Sequence, residues 1–498
     1  VPYGISIIAS YCLKKISENI EVDLFKYPDD LVKHLEQKIP PIVCFANYIW
    51  NLNISCEIAS QIKTKSPDTV IIFGGPNYPL DPQEQEAFLL SRPYIDFYVY
   101  REGEQALVEL FNKLSDFDFS VARIKKNRLR IHNCHYVNNG KIIRGDLFLP
   151  VSDLDDLPSP YLSGLCDKFL DKALIPIMQT SRGCPFECTY CQEGADYFNK
   201  RRRFSLNRIK NELEYIAQRT TSTDLLLTDS NFGMYREDIE ICKEIALIQK
   251  ENGWPLYFDA IDGKNNKSRV LEAASIVKGS HLTAAVQSTD RQVLKNIKRQ
   301  NVSLDQTIQV AKEGKMVGAS SFSEVILCLP GDSKNAHFKT ISDLIDAEID
   351  MVRPHQFIML PGSEASTRKN RVEHGMVTRF RVAPKTVNHY HFFGATFIAP
   401  EIDEICVANN TMPFEDYLEC RCYNLTVEIF YNNGILQELL KFVRQNGLLV
   451  SSFIFDIHKK IKSTSGKLLS LYDDFLKESK ELWHSRDEIK IFLREQDV

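Results

Sequence analysis

Over the first 120 residues, short apolar runs alternate with stretches of helical spacing. "EVDLFKY" (21–27), "PIVCFANYI" (41–49), "TVIIFGGP" (69–76) and "IDFYVYREGE" (95–104) read as buried strands. "GISIIASYCLKKI" and "CEIASQIKTKS" carry apolar residues three and four apart, the spacing of one helix face. Strand alternating with helix predicts a parallel sheet wrapped by helices, an α/β domain over 1–120. The "FGGP" at 73–76 ends a strand in a Gly pair. Ligands of open parallel sheets bind at the carboxyl ends of strands, and Gly there lets backbone come close. A plain tight turn explains the pair equally well.

The pattern then changes. "NRLRIHNCHYVNNGKIIRGDLFLP" sets Asn-Asn-Gly between two short strands, and "SDLDDLPSPYLSG" follows with Pro and Asp. Residues 121–172 therefore read as a hairpin insertion and linker. A second alternation fills 173–400, with six strands expected at 174–180, 224–230, 255–261, 282–288, 322–331 and 354–362. Helical runs such as "SLNRIKNELEYIAQR" separate them, which predicts a partial (β/α)6 TIM-like barrel. Working residues of such barrels sit where strands end. Several ends here are polar or Gly-rich, among them "TDSNFG", "DAIDG", "QSTD" and "LPGDS". Residues 401–498 read as a helical C-terminal region.

At 498 residues the chain is long enough for two or three domains. A net charge of -5 argues against a nucleic-acid partner. No window reaches eighteen apolar residues, so no membrane span is expected. The first residues lack a basic start and cleavage site, and the thirteen cysteines are unpatterned outside one cluster. Both readings favour the reducing cytoplasm over a disulfide framework.

That cluster is "TSRGCPFECTYCQEG", which places Cys184, Cys188 and Cys191 within eight residues. Structural zinc wants four ligands, usually as two C-x-x-C knuckles, and only one C-x-x-C is present. Iron–sulfur clusters are also held by close thiolates. Three thiolates leave one iron of a four-iron cluster open to substrate or cofactor. The run follows the expected first barrel strand, at the mouth where an active site belongs.

The Cys-x3-Cys-x2-Cys spacing after a first barrel strand, with Tyr190 before the last thiol, resembles the radical S-adenosylmethionine (SAM) superfamily. The resemblance implies a [4Fe-4S] cluster on Cys184, Cys188 and Cys191, with SAM chelating the open iron and yielding a 5′-deoxyadenosyl radical. It also implies an external electron donor of the flavodoxin or ferredoxin kind. SAM-binding positions carry over as Tyr190, as Asp229, Ser230 and Asn231 in "LLLTDSNFG", as Gln287 and Ser288 in "VQS", and as Glu324 in "EVILCLPG". The second-strand run matches the family's Gly-Gly-Glu-like segment by position, not by letters.

An N-terminal α/β domain ahead of this barrel resembles the subgroup with a Rossmann-like, cobalamin (B12)-binding-type domain. "GISIIASYCLKK", "FGGP" and "REGE" stand near its landmarks. The resemblance implies cobalamin near Gly74 and Gly75, with Asn47, Tyr48 and Trp50 near the corrin. Cobalt-ligating members carry Asp-x-His-x-x-Gly before the first helix; here "VPYG" places Gly4 at the Gly position and Val1 where His would stand. With cobalamin, the expected reaction is methyl transfer to an unactivated carbon of a small molecule or peptide. Without it, epimerisation or rearrangement is the alternative, and a non-catalytic Fe–S or zinc protein is a third.

Other features have simpler explanations. His389 and His391 in "NHYHFFG" share a face if extended, but no third metal ligand is near. Cys420 and Cys422 would face apart on a helix, and Cys328 reads as a buried thiol. Tyr197 and Arg202, beside the basic run "NKRRRF", are further mouth-lining positions.

Overall fold

Val, Ile and Phe runs buried on both faces form the centre of the first domain. The structure, a computed structural model, describes every residue except 172–173, 284, 301–307, 310–319, 462 and 496–498. Strands β1 (Ile42–Ala46), β2 (Val70–Gly74) and β3 (Phe97–Val99) pair in parallel. β2 is buried along Val70–Phe73, as a strand covered by helices on both faces must be. β3 then pairs antiparallel with β4 (Cys134–Asn138), and β4 with β5 (Lys141–Arg144), so the hairpin after residue 121 extends the N-terminal sheet. Asn139 and Gly140 both have positive φ, 48° and 72°, as a tight two-residue hairpin turn requires.

Helices α1 (Tyr3–Lys15), α2 (Pro28–Gln37), α3 (Leu52–Lys65), α4 (Pro82–Leu90) and α5 (Glu104–Asp116) wrap this sheet. α2 opens with Pro28 in its first turn, and Asp29 and Asp30 follow there, favoured by the positive helix end. Residues 21–27, expected to be a strand, run irregularly. Only Leu24 is buried in that stretch, and it packs toward the barrel with no strand beside it. Alternation alone does not distinguish a strand from an extended segment lying on a core.

The barrel consists of two three-stranded parallel sheets. One has the order β10 (Tyr257–Asp259), β9 (Asp224–Leu227), β6 (Ile177–Met178), and the other β11 (His281–Thr283), β12 (Ser320–Leu327), β13 (Met351–Gln356). Between the halves, the Phe258–Ser280 bridge joins the β10 side to the approach to β11. The expected fourth strand at 282–288 includes residue 284, which lies outside the described residues. The sixth strand begins at Met351 rather than Pro354. Pro354 sits inside an edge strand, where a missing N–H is tolerated.

The C-terminal region is not helical throughout. β17 (Ile402–Ala408) pairs antiparallel with β14 (Val377–Val382), and helices follow from Phe414. Between those two strands, the hairpin β15 (His389–Phe392) and β16 (Ala395–Ile398) reaches back to the first domain. Phe392, fully buried, packs in one core with Val32, Leu35 and Phe73. Burial of such a ring contributes roughly 1.5–3 kcal/mol. α1 packs the other way: Tyr3 and Ile7 share a core with Met178, Leu225 and Leu227 of the barrel.

Candidate active site

The thiol loop is built on a buried brace. Asp229, just beyond β9, is 1% exposed and accepts hydrogen bonds from the Thr180 amide at 2.7 Å, the Thr180 hydroxyl at 2.6 Å and the Ser181 hydroxyl at 2.5 Å. Burial pushes its carboxyl up and the three donors oppose that. Asp229 therefore ties the ends of the first two barrel strands together, and its carboxylate is spent on that task. Strand β7 (Ser181–Arg182) pairs antiparallel with β8 (Arg202–Arg203) and closes the loop between them. Inside it, Gly183 has φ +98°, and a Cβ there would meet the Lys200 carbonyl at 2.3 Å. The path needs glycine.

Cys184 and Cys188 are buried and Cys191 is half-buried. Burial pushes the Cys191 thiol up to about 11, and the charges of Glu193, Cys184 and Cys188 add to the rise while a backbone hydrogen bond opposes it. Two thiols meet N–H donors. Asn231 Nδ2 donates to Cys184 Sγ at 3.2 Å, and Lys264 Nζ donates to Cys188 Sγ at 3.1 Å. Asn231 Oδ1 is buried with no hydrogen-bond partner. Ser230 donates to Glu193, two residues past the last thiol. Tyr190 Oη accepts from Arg299 Nη1 at 2.5 Å, and burial raises this phenol far above its ordinary value. Nearby, burial and then the charge of Arg299 pull Lys267 below the usual ammonium range.

These residues fit an anionic cluster better than a single metal ion. Among the described residues, no group of three His, Cys, Asp or Glu side chains is placed to hold one ion. Zinc bonds each thiolate at about 2.3 Å and draws them together. A four-iron cube spreads three thiolates over three irons, and the Lys264 ammonium against Cys188 suits its negative charge.

The other half-barrel brings a second polar group to the lumen. Gln287 has φ +63°, a left-handed backbone rare outside glycine. Its amide N–H donates to the Glu324 carbonyl at 2.9 Å, and its side chain hydrogen-bonds the Glu324 carboxylate. Gln287 Oε1 is buried and unpartnered. His355 Nε2 lies 3.6 Å from Glu324 Oε1. Its contact with the carboxylate is the largest of the causes that hold Glu324 below the usual carboxylate range. Ser288 is spent elsewhere: 3% exposed, it lies 3.5 Å from Thr340 Oγ1 and accepts from the Asp290 amide at 3.1 Å.

On the first domain, the carboxyl ends of β1 and β2 form an open face. Gly75 has φ +130°, and a Cβ there would strike the Asn47 carbonyl at 2.6 Å. Tyr48 and Trp50 stack at 4.5 Å and 8°, with Trp50 61% exposed. An exposed Trp50 stacked on the half-buried Tyr48 offers a flat apolar face beside the Gly pair. Asn47 lies inside: its Nδ2 donates to the Asn77 carbonyl at 2.8 Å and to Tyr98 Oη at 3.0 Å. It shapes this face from beneath rather than lining it.

The two sites are clamped to each other. Gln192 Nε2 donates to the carbonyls of Pro76 at 2.9 Å and Pro361 at 2.5 Å, joining the thiol loop, the Gly-Gly-Pro turn and the segment after β13. Arg182 donates to Glu104 at 2.7 Å, and Arg202 pairs with Glu102 rather than lining a mouth. The Arg101 guanidinium lies over the rings of Tyr100, Tyr197 and Phe198.

Sequence reasoning missed Lys264, Arg299 and His355. His355 alternates with the buried Val352 side of β13, a period-two signal readable once the strand start is known. Lys264 and Arg299 carried no local signal. His389 and His391 lie on the exposed face of β15. Cys328 and Cys406 are buried with sulfurs 3.8 Å apart, and Cys420 is buried in the same core.

A radical SAM superfamily model matches residues 178–344, and a B12 binding domain model matches residues 1–111. The two matches place a B12-binding region ahead of a radical SAM region in this chain. It is 26% identical over 419 residues to the 2-(S-pantetheinyl)-carbapenam-3-carboxylate methyltransferase of Streptantibioticus cattleyicolor. It is 26% identical over 418 residues to the cobalamin-dependent radical SAM methyltransferase TokK of Streptomyces tokunonensis. Each match covers 82% of this chain and 59% of the relative, so the chain spans about three-fifths of their length. The fold is similar to that of the radical SAM methyltransferase TsrM from Kitasatospora setae, with a TM-score of 0.55 at 13% identity over 77% of this chain and 76% of that one. Among the described residues, no helix is long and apolar enough to cross a membrane.

Proposed function

We propose that the chain is a cobalamin-dependent radical SAM methyltransferase acting on an unactivated carbon of a small-molecule or peptide substrate. The carrying observation is the clamp at Gln192, which holds the three-thiol loop against the Gly-Gly-Pro turn of the B12-binding domain. Two cofactor sites held at one seam suit a reaction that uses both.

Cys184, Cys188 and Cys191 would hold a [4Fe-4S] cluster, and the unpartnered Asn231 Oδ1 and Gln287 Oε1 are free to take donors of SAM. Glu324, half-exposed and kept ionised, would meet a hydroxyl or ammonium group. Tyr48, Trp50, Gly74 and Gly75 would face cobalamin, and Val1 stands at the position where cobalt-ligating relatives carry His. When bound, the cluster and SAM supply a 5′-deoxyadenosyl radical, and cobalamin supplies methyl transfer. An external flavodoxin- or ferredoxin-like donor would deliver the electron. This chain's part is to orient these groups and shed water from the seam. The pairs of Arg182 with Glu104 and of Arg202 with Glu102 close one side of it.

The test is anaerobic incubation of the reconstituted chain with SAM, cobalamin and a strong reductant. Both 5′-deoxyadenosine and S-adenosylhomocysteine are expected, and Cys188→Ala should abolish the first. Formation of 5′-deoxyadenosine alone, unchanged by cobalamin, would instead support a cobalamin-independent rearrangement or epimerisation.

A further inference from the structure

The ends of β9 and β10 zip together beyond their ladder. Phe232 N donates to the Ile261 carbonyl at 2.8 Å, Gly263 N donates to the Phe232 carbonyl at 2.8 Å, and Phe232 bridges Asp262 in parallel. Gly263 is required there, because a Cβ would lie 2.5 Å from the Met234 Cβ. This tight pairing delivers Asn231 to Cys184 and Lys264 to Cys188. The Lys264 ammonium also lies 4.5 Å from the Phe186 ring centroid, a contact that holds it in place. The contacts of the Lys264 ammonium are thus the Cys188 sulfur and the Phe186 ring.

We infer that Lys264 is a positioning residue that sets the reduction potential of the cluster, raising it through its cation beside the Cys188 thiolate. The inference rests on the cluster reading of the three thiols. Uptake of one electron from a low-potential donor adds one negative charge to the cluster, and no bond or proton need move. A fixed cation against one ligand sulfur stabilises that added charge more than the oxidised form. Net charge and hydrogen bonds to the sulfurs are the protein's levers on such potentials. Asn231 acts in the same direction on Cys184, but as a neutral donor its effect is smaller. Cys191 has no such side-chain donor among the hydrogen bonds of the described residues, so the three ligands are unequal.

The experiment is a potentiometric titration of the anaerobically reconstituted chain, followed by electron paramagnetic resonance in the absence of SAM. Iron and sulfide are counted first. A wild-type chain that takes up neither overturns the cluster reading, and this inference with it. With the cluster present, Lys264→Met should shift the midpoint negative. A tenfold loss in the equilibrium for reduction reads as about 59 mV for one electron. Lys264→Arg should stay near wild type, and Asn231→Leu should shift less than Lys264→Met. Lys264→Gln reads the same shift should the methionine variant bind iron poorly. An unmoved midpoint in both neutral variants overturns the inference, since a lysine serving only the SAM carboxylate would behave so. An equal shift in Lys264→Arg also overturns it, because packing rather than charge would then be the cause.

Discussion

Asp229 in one half of the barrel and Gln287 with Glu324 in the other are polar strand ends treated in opposite ways. In the half formed by β6, β9 and β10, Asp229 is sealed and saturated by donors from Thr180 and Ser181. In the half formed by β11, β12 and β13, Gln287 holds a left-handed backbone with an unmatched oxygen, and Glu324 stands half-exposed beside His355. Their carboxylates also shift oppositely: burial raises Asp229, while His355 and its neighbours lower Glu324. A saturated brace gives the rigidity that a cluster loop needs. Strain and unmet hydrogen bonds mark the place proposed for SAM.

The sharpest way to break this contrast is Asp229→Ala. It strands three donors in a sealed site, each costing about 1–3 kcal/mol. Denaturant unfolding should show a loss of several kcal/mol, and iron uptake by the thiol loop should fall. Preserved stability and full iron uptake would mean that the brace is incidental.

Gln287→Gly should do the reverse. Relief of the left-handed strain gains about 1 kcal/mol, partly offset by glycine's backbone entropy. The lost side-chain hydrogen bond to Glu324 also offsets it, so stability is expected to change little, while SAM affinity of the reconstituted chain, measured by calorimetry, falls about tenfold. A variant that lost stability and kept SAM affinity would assign Gln287 to the fold.

Glu324→Gln should have the smallest effect. Glu324 is lowered in the folded state, so its stabilisation is present above the unfolded pKa and lost as pH falls from about 4.5 through the folded value. The wild type should therefore lose stability on the acid side slightly faster than Glu324→Gln. The difference stays under about 1 kcal/mol because the pair is partly exposed to solvent. A wild-type advantage that grew as pH fell below the carboxylate range would contradict the sign.

Local signals were legible in the sequence, and cross-chain ones were not. The Cys184, Cys188 and Cys191 spacing, the strands around 41–49 and 69–76 and the Asn139–Gly140 turn all depend on residues within a few positions of one another. Asp229 and Gln287 looked alike as polar strand ends. Only the partners, 48 residues away for Ser181 and one strand over for Glu324, separate a brace from an open group. Phe392 shows the same limit: Val32, Leu35 and Phe73 of its core lie more than 300 positions earlier. Residues 21–27 failed for another reason, since alternation reports one buried face but not the presence of a ladder.

Gln192, Arg182 and Arg202 hold the thiol loop and the B12-binding region at one seam, where both cofactors are proposed to sit. Its most direct test is the stoichiometry of iron, sulfide and cobalamin on the anaerobically reconstituted chain, with cobalamin read from its visible spectrum after desalting. Four irons, four sulfides and one retained cobalamin per chain are expected. A chain that assembles the cluster but releases all added cobalamin would contradict the account.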